Sequence, residues 1–235
     1  MWVKICGNTN LEDARLAIEL GADAVGFVFA ASKRQVTTSQ VAAITSHLPT
    51  GVERVGVFDS HDAEQIAQTA LDSGLTTVQL HGGSDEALVR DLGEKLAGRV
   101  RIIQTLHWTV ADQASSATPG TEPESSAAQL MGKIERVGLL GIADRILVDS
   151  KVGAASGGTG VAFDWTKAQP AFATPPGGVR LILAGGLKPD NVGEAVGELS
   201  PWGVDVCSGV EASPGRKDPK RLAQFIENAR RIAAR

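Results

Sequence analysis

Short β-branched apolar runs alternate along this chain with longer stretches in which apolar residues recur at helical spacing. Near-continuous apolar runs predict parallel strands, buried on both faces, at residues 2–6, 24–29, 54–58, 76–80, 101–106, 145–149, 180–184 and 204–207. The helical pattern fills the intervals. Leu11, Ala14, Ala17 and Ile18 form one stripe, with Asn10 placed to cap it and Asp13 as an acid in its first turn. Leu222, Phe225, Ile226, Ala229 and Ala233 form another. Further helices are predicted at 39–47, 63–73, 85–96, 129–139, 164–172 and 191–199. Strand–helix alternation alone also suits an open doubly wound sheet. Eight strands, each followed by a helix, favour closure into a barrel with no edges. The expected fold is therefore α/β, a single (β/α)8 TIM barrel of parallel strands over residues 1–235. One segment breaks the rhythm. Residues 109–129 contain "ADQASSATPGTEPESSAAQ", which is too poor in large apolar residues to bury much. A mobile surface insertion after strand five is expected there.

Composition narrows the function classes. The chain has 235 residues, 43% of them apolar, enough for a substantial core. A net charge of −4 and a pI near 5.6 give no field for nucleic acid or an anionic membrane. Two cysteines, Cys6 and Cys207, are too few for a disulfide scaffold, and a reducing, cytoplasmic setting is expected. The N-terminus lacks the basic and apolar regions of a signal peptide, and no apolar run approaches a membrane span.

In a barrel of this kind chemistry collects at the C-terminal ends of the strands. The unusual polar residues sort that way. Strand one ends in Cys6, and Ser32, Lys33 and Arg34 follow strand two. Strand four runs into Gln79 and His81, and strand six into Asp149 and Ser150. Glycine clusters follow strands six, seven and eight: Gly157, Gly158, Thr159 and Gly160; Gly185 and Gly186; Ser208 and Gly209. Glycine lets backbone N–H groups approach an anion, so three such loops on neighbouring strands suggest a phosphate cradle. Gly158-Thr159-Gly160 lacks the lysine of a Walker A loop. The expected ligand is a small phosphorylated metabolite.

Six stretches then carry a resemblance. "KICG" at 4–7, "GADAVGFVF" at 21–29, "VQLHG" at 78–82, "VDSKVGAASGGTGVAFDW" at 148–165, "LAGGLKPDNV" at 183–192 and "GVDVCSGVEASPGRKD" at 203–218 closely resemble the phosphoribosylanthranilate isomerase family, in order and nearly end to end. The resemblance implies a (β/α)8 barrel without metal or organic cofactor. It implies an Amadori rearrangement of N-(5-phosphoribosyl)anthranilate in tryptophan synthesis, by a monomer or a homodimer.

It also implies roles. Cys6 is expected to be the general base and Asp149 the general acid. Arg34 is expected to read the anthranilate carboxylate through paired hydrogen bonds. Where the family has an aromatic residue next, this chain has Gln35. His81 is expected to border the pocket. Each residue also has a plainer reading. A strand cysteine is commonly a small hydrophobe, Asp149 fits an N-cap or an ion pair, and Arg34 fits a solvated loop. Cys207 is expected to pack, and Lys4 to fill the barrel centre in an ion pair with Asp205. The rivals are a ProFAR isomerase-like or dual-substrate isomerase, whose design resembles a pair of aspartates where this chain has Cys6, and a non-catalytic phosphometabolite-binding barrel.

Overall fold

The computed structural model describes residues 1–82, 86–110, 127–143, 145–152, 165–175 and 178–233. Eight strands close into one barrel in chain order: β1 (Trp2–Ile5), β2 (Ala24–Val28), β3 (Glu53–Phe58), β4 (Thr77–Leu80), β5 (Arg101–Val110), β6 (Arg145–Val152), β7 (Arg180–Ala184) and β8 (Gly203–Val206). Every neighbouring pair is parallel, including β1 with β8. The helices between and after them are α1 (Leu11–Glu19), α2 (Thr38–Thr45), α3 (Ala63–Asp72), α4 (Glu86–Leu96), α5 (Ala127–Leu140), α6 (Gln169–Ala173), α7 (Val192–Leu199) and α8 (Pro219–Ala233). Before α8 the chain makes a 3-10 turn, Ser208–Val210, and an antiparallel ribbon of β9 (Glu211–Ser213) and β10 (Arg216–Lys217).

The alternation of side chains along each strand builds two layers. One parity, including Val3, Ile5, Val25, Phe27, Val78 and Leu80, packs outward under the helices. The other parity faces the axis. Ala24, Val55, Ile103, Leu147, Ile182 and Ala184 fill the barrel there, with Trp2 and Trp202 against them. Helix starts follow their expected chemistry. Asn10 caps α1 by accepting from the Asp13 N–H, and Thr37 with Gln40 forms a capping box on α2.

Several boundaries differ from the sequence expectation. β5 and β6 do not stop at 106 and 149. Their mutual ladder continues through His107↔Asp149 to Val110↔Val152, so hydrogen bonding between these two strands carries them past the rim. Thr109 and Val110 are therefore strand, and 127–129 belong to α5; residues 111–126 lie outside the described residues. The helix expected at 164–172 is a 3-10 turn, Trp165–Ala168, followed by α6 with Pro170 in its first turn. Proline lacks an N–H and so marks a helix start.

Candidate active site

The axis-facing parity, carried past the packed layers, delivers the polar side chains to one rim. On β1, Trp2 and Lys4 lead to Cys6, and on β8, Asp205 leads to Cys207. On β5, Ile103 leads to His107, and on β6, Leu147 leads to Asp149. All lie at the C-terminal ends of parallel strands, so Cys6 and Asp149 share the same mouth.

Cys6 sits among charges. The β1–β8 register pairs Lys4 with Asp205 and Ile5 with Val206, which brings Cys6 beside Cys207, and the Cys6 N–H donates to Val206 O at 2.8 Å. Below the thiols, fully buried Lys4 reaches Asp205 Oδ1 at 2.9 Å, the pair expected from sequence. Above them, Arg34 grips Glu211, its Nε donating at 2.8 Å and its Nη2 at 2.6 Å. Buried Lys217 donates to Cys6 O at 2.5 Å and to Glu211 Oε1 at 3.2 Å. Three cations thus stand against two carboxylates, and a thiolate at Cys6 balances them. Two glycines make the room. A Cβ at Gly26 would lie 2.9 Å from Cys6 Sγ. One at Gly7, whose φ is +71°, would lie 2.6 Å from Cys207 Sγ.

These contacts tune the thiol. A hydrogen bond from the Cys207 S–H, together with the Lys4 and Lys217 charges, outweighs burial and Asp205 and brings the Cys6 pKa down to about 7. The same bond pushes Cys207 far up, so it stays a thiol and a donor. Cys207 therefore does more than the packing expected of it. Its single S–H is shared between the Cys6 sulfur and Glu211 Oε1, to which it donates at 3.9 Å. Burial would raise Glu211, but Arg34 and Lys217 hold it below the usual carboxylate range.

Asp149 meets two histidines. Its Oδ2 lies 3.5 Å from His107 Nδ1. The other His107 nitrogen, Nε2, contacts the carbonyl of His81 at 2.9 Å, and the two rings meet edge to face with centroids 4.7 Å apart. His81 lies just past the C-terminal end of β4, beside His107. His107 was not anticipated, because ending β5 at residue 106 left it outside the strand. Its spacing of two from Thr105 and four from Ile103 is the signal that places it on the axis side.

Of the expected anion loops, Gly185 and Gly186 follow β7, and Ser208 and Gly209 form the turn after the adjacent strand β8. Gly157, Gly158, Thr159 and Gly160 lie outside the described residues. Gln35 donates to Phe29 O at 3.2 Å, and His107–Asp149 sits across the barrel order from Arg34. Glu211 and Lys217 fall within the "SGVEASPGRKD" stretch, where no local pattern marks either as part of the mouth.

Comparison with known proteins gives one consistent picture. The model of the "N-(5'phosphoribosyl)anthranilate (PRA) isomerase" family matches residues 3–121 and 130–228. An N-(5'-phosphoribosyl)anthranilate isomerase of Pelobacter propionicus is 42% identical over 229 residues, 97% of this chain and 95% of the relative. The crystal structure of phosphoribosyl anthranilate isomerase from Thermotoga maritima superposes with a TM-score of 0.77 at 38% identity, covering 98% of each chain. A phosphoribosyl anthranilate isomerase in complex with reduced 1-(o-carboxyphenylamino)-1-deoxyribulose 5-phosphate superposes with a TM-score of 0.74 at 36% identity, again over 98% of each chain.

Proposed function

The chain belongs to the N-(5'-phosphoribosyl)anthranilate isomerase family, and from that premise we propose that Cys6 is its general base and Asp149 its general acid. The enzyme is an isomerase of tryptophan biosynthesis. It converts N-(5'-phosphoribosyl)anthranilate to 1-(2-carboxyphenylamino)-1-deoxyribulose 5-phosphate, working in the cytoplasm as a monomer or a homodimer.

The rearrangement needs one proton given and one taken. Protonated Asp149 donates to the furanose ring oxygen. The C1–O bond breaks, and the anthranilate nitrogen supplies its lone pair to form a C1=N iminium. The Cys6 thiolate removes the C2 proton, and that electron pair becomes the C1=C2 bond as nitrogen returns to neutrality. The resulting enolamine relaxes to the ketone, losing its hydroxyl proton and gaining one at C1. Asp149 ends as carboxylate and Cys6 as thiol, and exchange with water resets both.

The observation that carries this reading is the setting of Cys6. A thiol brought down to about 7 is half ionised at neutral pH yet still basic enough to take a carbon-bound proton. His107 supports the acid. A carbonyl only accepts, so His107 Nε2 carries its hydrogen toward His81 O. In the neutral ring Nδ1 is then an acceptor facing Asp149 Oδ2, which suits a protonated carboxyl. Their 3.5 Å separation is of the kind that tightens once substrate is bound. The phosphate is assigned to the backbone around Gly157, Gly158, Thr159, Gly160, Gly185, Gly186, Ser208 and Gly209. Arg34, held by Glu211 through Nε and Nη2, presents its Nη1 edge to the anthranilate carboxylate.

The test follows anthranilate fluorescence as substrate is consumed. Cys6→Ala and Asp149→Asn are each expected to lower kcat by about 10²- to 10⁴-fold while substrate still binds. Turnover of Cys6→Ala at the parent rate would remove the base assignment. Parent enzyme that isomerises ProFAR as efficiently would require the dual-substrate reading.

A further inference from the structure

Donor atoms of the metal-ligand type converge at the acid end of the mouth. His107 turns Nε2 to the His81 carbonyl, 2.9 Å away, and Nδ1 to Asp149 Oδ2, 3.5 Å away. An imidazole nitrogen and a carboxylate oxygen at that separation suit a shared divalent ion, since donor atoms around tetrahedral zinc stand about 3.4 Å apart. A backbone carbonyl on the far nitrogen is the outer contact that metal-bound imidazoles commonly make. A third donor is present too. One ligand atom from each of His81, His107 and Asp149 lies within 4.8 Å of the others.

We propose that His81, His107 and Asp149 form a site for a zinc-like divalent ion that inhibits the enzyme. Two imidazoles and one carboxylate suit Zn²⁺ or Co²⁺, whereas Mg²⁺ and Ca²⁺ favour all-oxygen sets. Three protein donors leave a fourth position open to water. The ion takes a lone pair from each of the three donors, displacing any proton they hold, with no redox change. Binding itself does not depend on the role given to Asp149. Inhibition does rest on that role, because a metal-bound carboxylate has no proton to give the ring oxygen.

The test titrates purified enzyme at neutral pH with Co²⁺, read by its visible ligand-field absorption, then with Zn²⁺ as displacer. One equivalent is expected to bind. His107→Gln is expected to weaken binding by about tenfold or more, since losing even an outer-shell partner costs that much. His47→Gln, which alters an exposed ring beyond α2, is expected to change nothing. Thiols are the competing sink for these ions, so the titration is repeated in Cys6→Ala/Cys207→Ser. That double variant is expected to bind like the parent although it cannot turn over, which separates the metal site from the catalytic assignment. Uptake lost with the thiols, uptake equal in His107→Gln and parent, or no uptake by the parent at millimolar Co²⁺ each overturns the site. Turnover of the parent should fall as the site fills and return with EDTA; binding without that fall overturns the inhibitory part.

Discussion

The barrel buries charge at both ends and uses it in opposite ways. At the bottom, where the strands begin, Glu53 on β3 receives two hydrogen bonds from Arg145 on β6, at 2.8 and 2.7 Å. Thr77 adds a third, and Arg101 lies 3.3 Å away. Arg145 also stacks over the Trp2 and Trp202 rings. At the top, Lys4, Arg34 and Lys217 surround Asp205, Glu211 and the Cys6 thiol. Among the described residues, the bottom pairs Glu53 and Arg145 with each other and with further strong partners. Burial would raise Glu53, but Arg145 holds it below the ordinary carboxylate range. The top leaves its balance to a thiol at about 7. Buried charge is thus structural where partners saturate it, and reactive where one proton decides the balance.

The largest effect should come from breaking the bottom. Glu53→Gln leaves Arg145, 2% exposed, without its counter-charge. Losing one partner of a buried pair costs about 3–5 kcal/mol, so the thermal midpoint should fall by many degrees. The native carboxyl is depressed, so its contribution is complete at neutral pH and is lost as pH falls through that lowered value. The Cys6 titration, followed by thiolate absorbance, should not move. A shift there would mean that the two charge systems communicate, and the contrast between them would fail.

Glu211→Gln probes the top. Arg34 is partly solvated, with 22% of its side chain exposed, so the stability loss should be smaller, about 1–2 kcal/mol. The effect on the thiol should have a definite sign. Removing a carboxylate from a rim that already holds three cations favours the thiolate, so the Cys6 midpoint should drop below 7. KM should rise as well, because Arg34 loses the partner that aims it. An upward movement of the midpoint would show that Glu211 acts mainly by holding Lys217 in place.

How far these ends could be read from sequence depends on how local their causes are. The barrel was legible because each strand announces itself as an apolar run, and Cys6, Arg34 and Asp149 stood out as chemistry at strand ends. Lys4 with Asp205 was legible by parity. His107 was hidden by a boundary, since only pairing with β6 carries β5 past residue 106. The Glu53–Arg145 plug joins residues 92 apart, and no local pattern couples them. Cys207 reads as packing in the sequence because its role depends on register. Only the closure of β8 onto β1 places its thiol beside Cys6.

That closure supports the finest test. The parent rate, plotted as kcat/KM, should climb with pH through about 7 as Cys6 ionises, and iodoacetamide should alkylate the enzyme with the same midpoint. Cys207→Ala removes the hydrogen bond that does most to lower the Cys6 value and leaves Lys4 and Lys217 in place. A hydrogen bond to a charged acceptor contributes about 1.5–3 kcal/mol, so the midpoint should rise by about one to two pH units. Above that new midpoint the rate should return close to the parent value, because the base itself is intact. Cys207→Ser restores an O–H donor at nearly the same length and should bring the midpoint most of the way back. A purely steric role predicts the reverse pattern, with both variants losing rate at every pH and neither moving the limb. If the alanine and serine variants titrate together, the cation surplus alone sets Cys6, and the contrast between the two ends reduces to charge count without the neighbouring thiol.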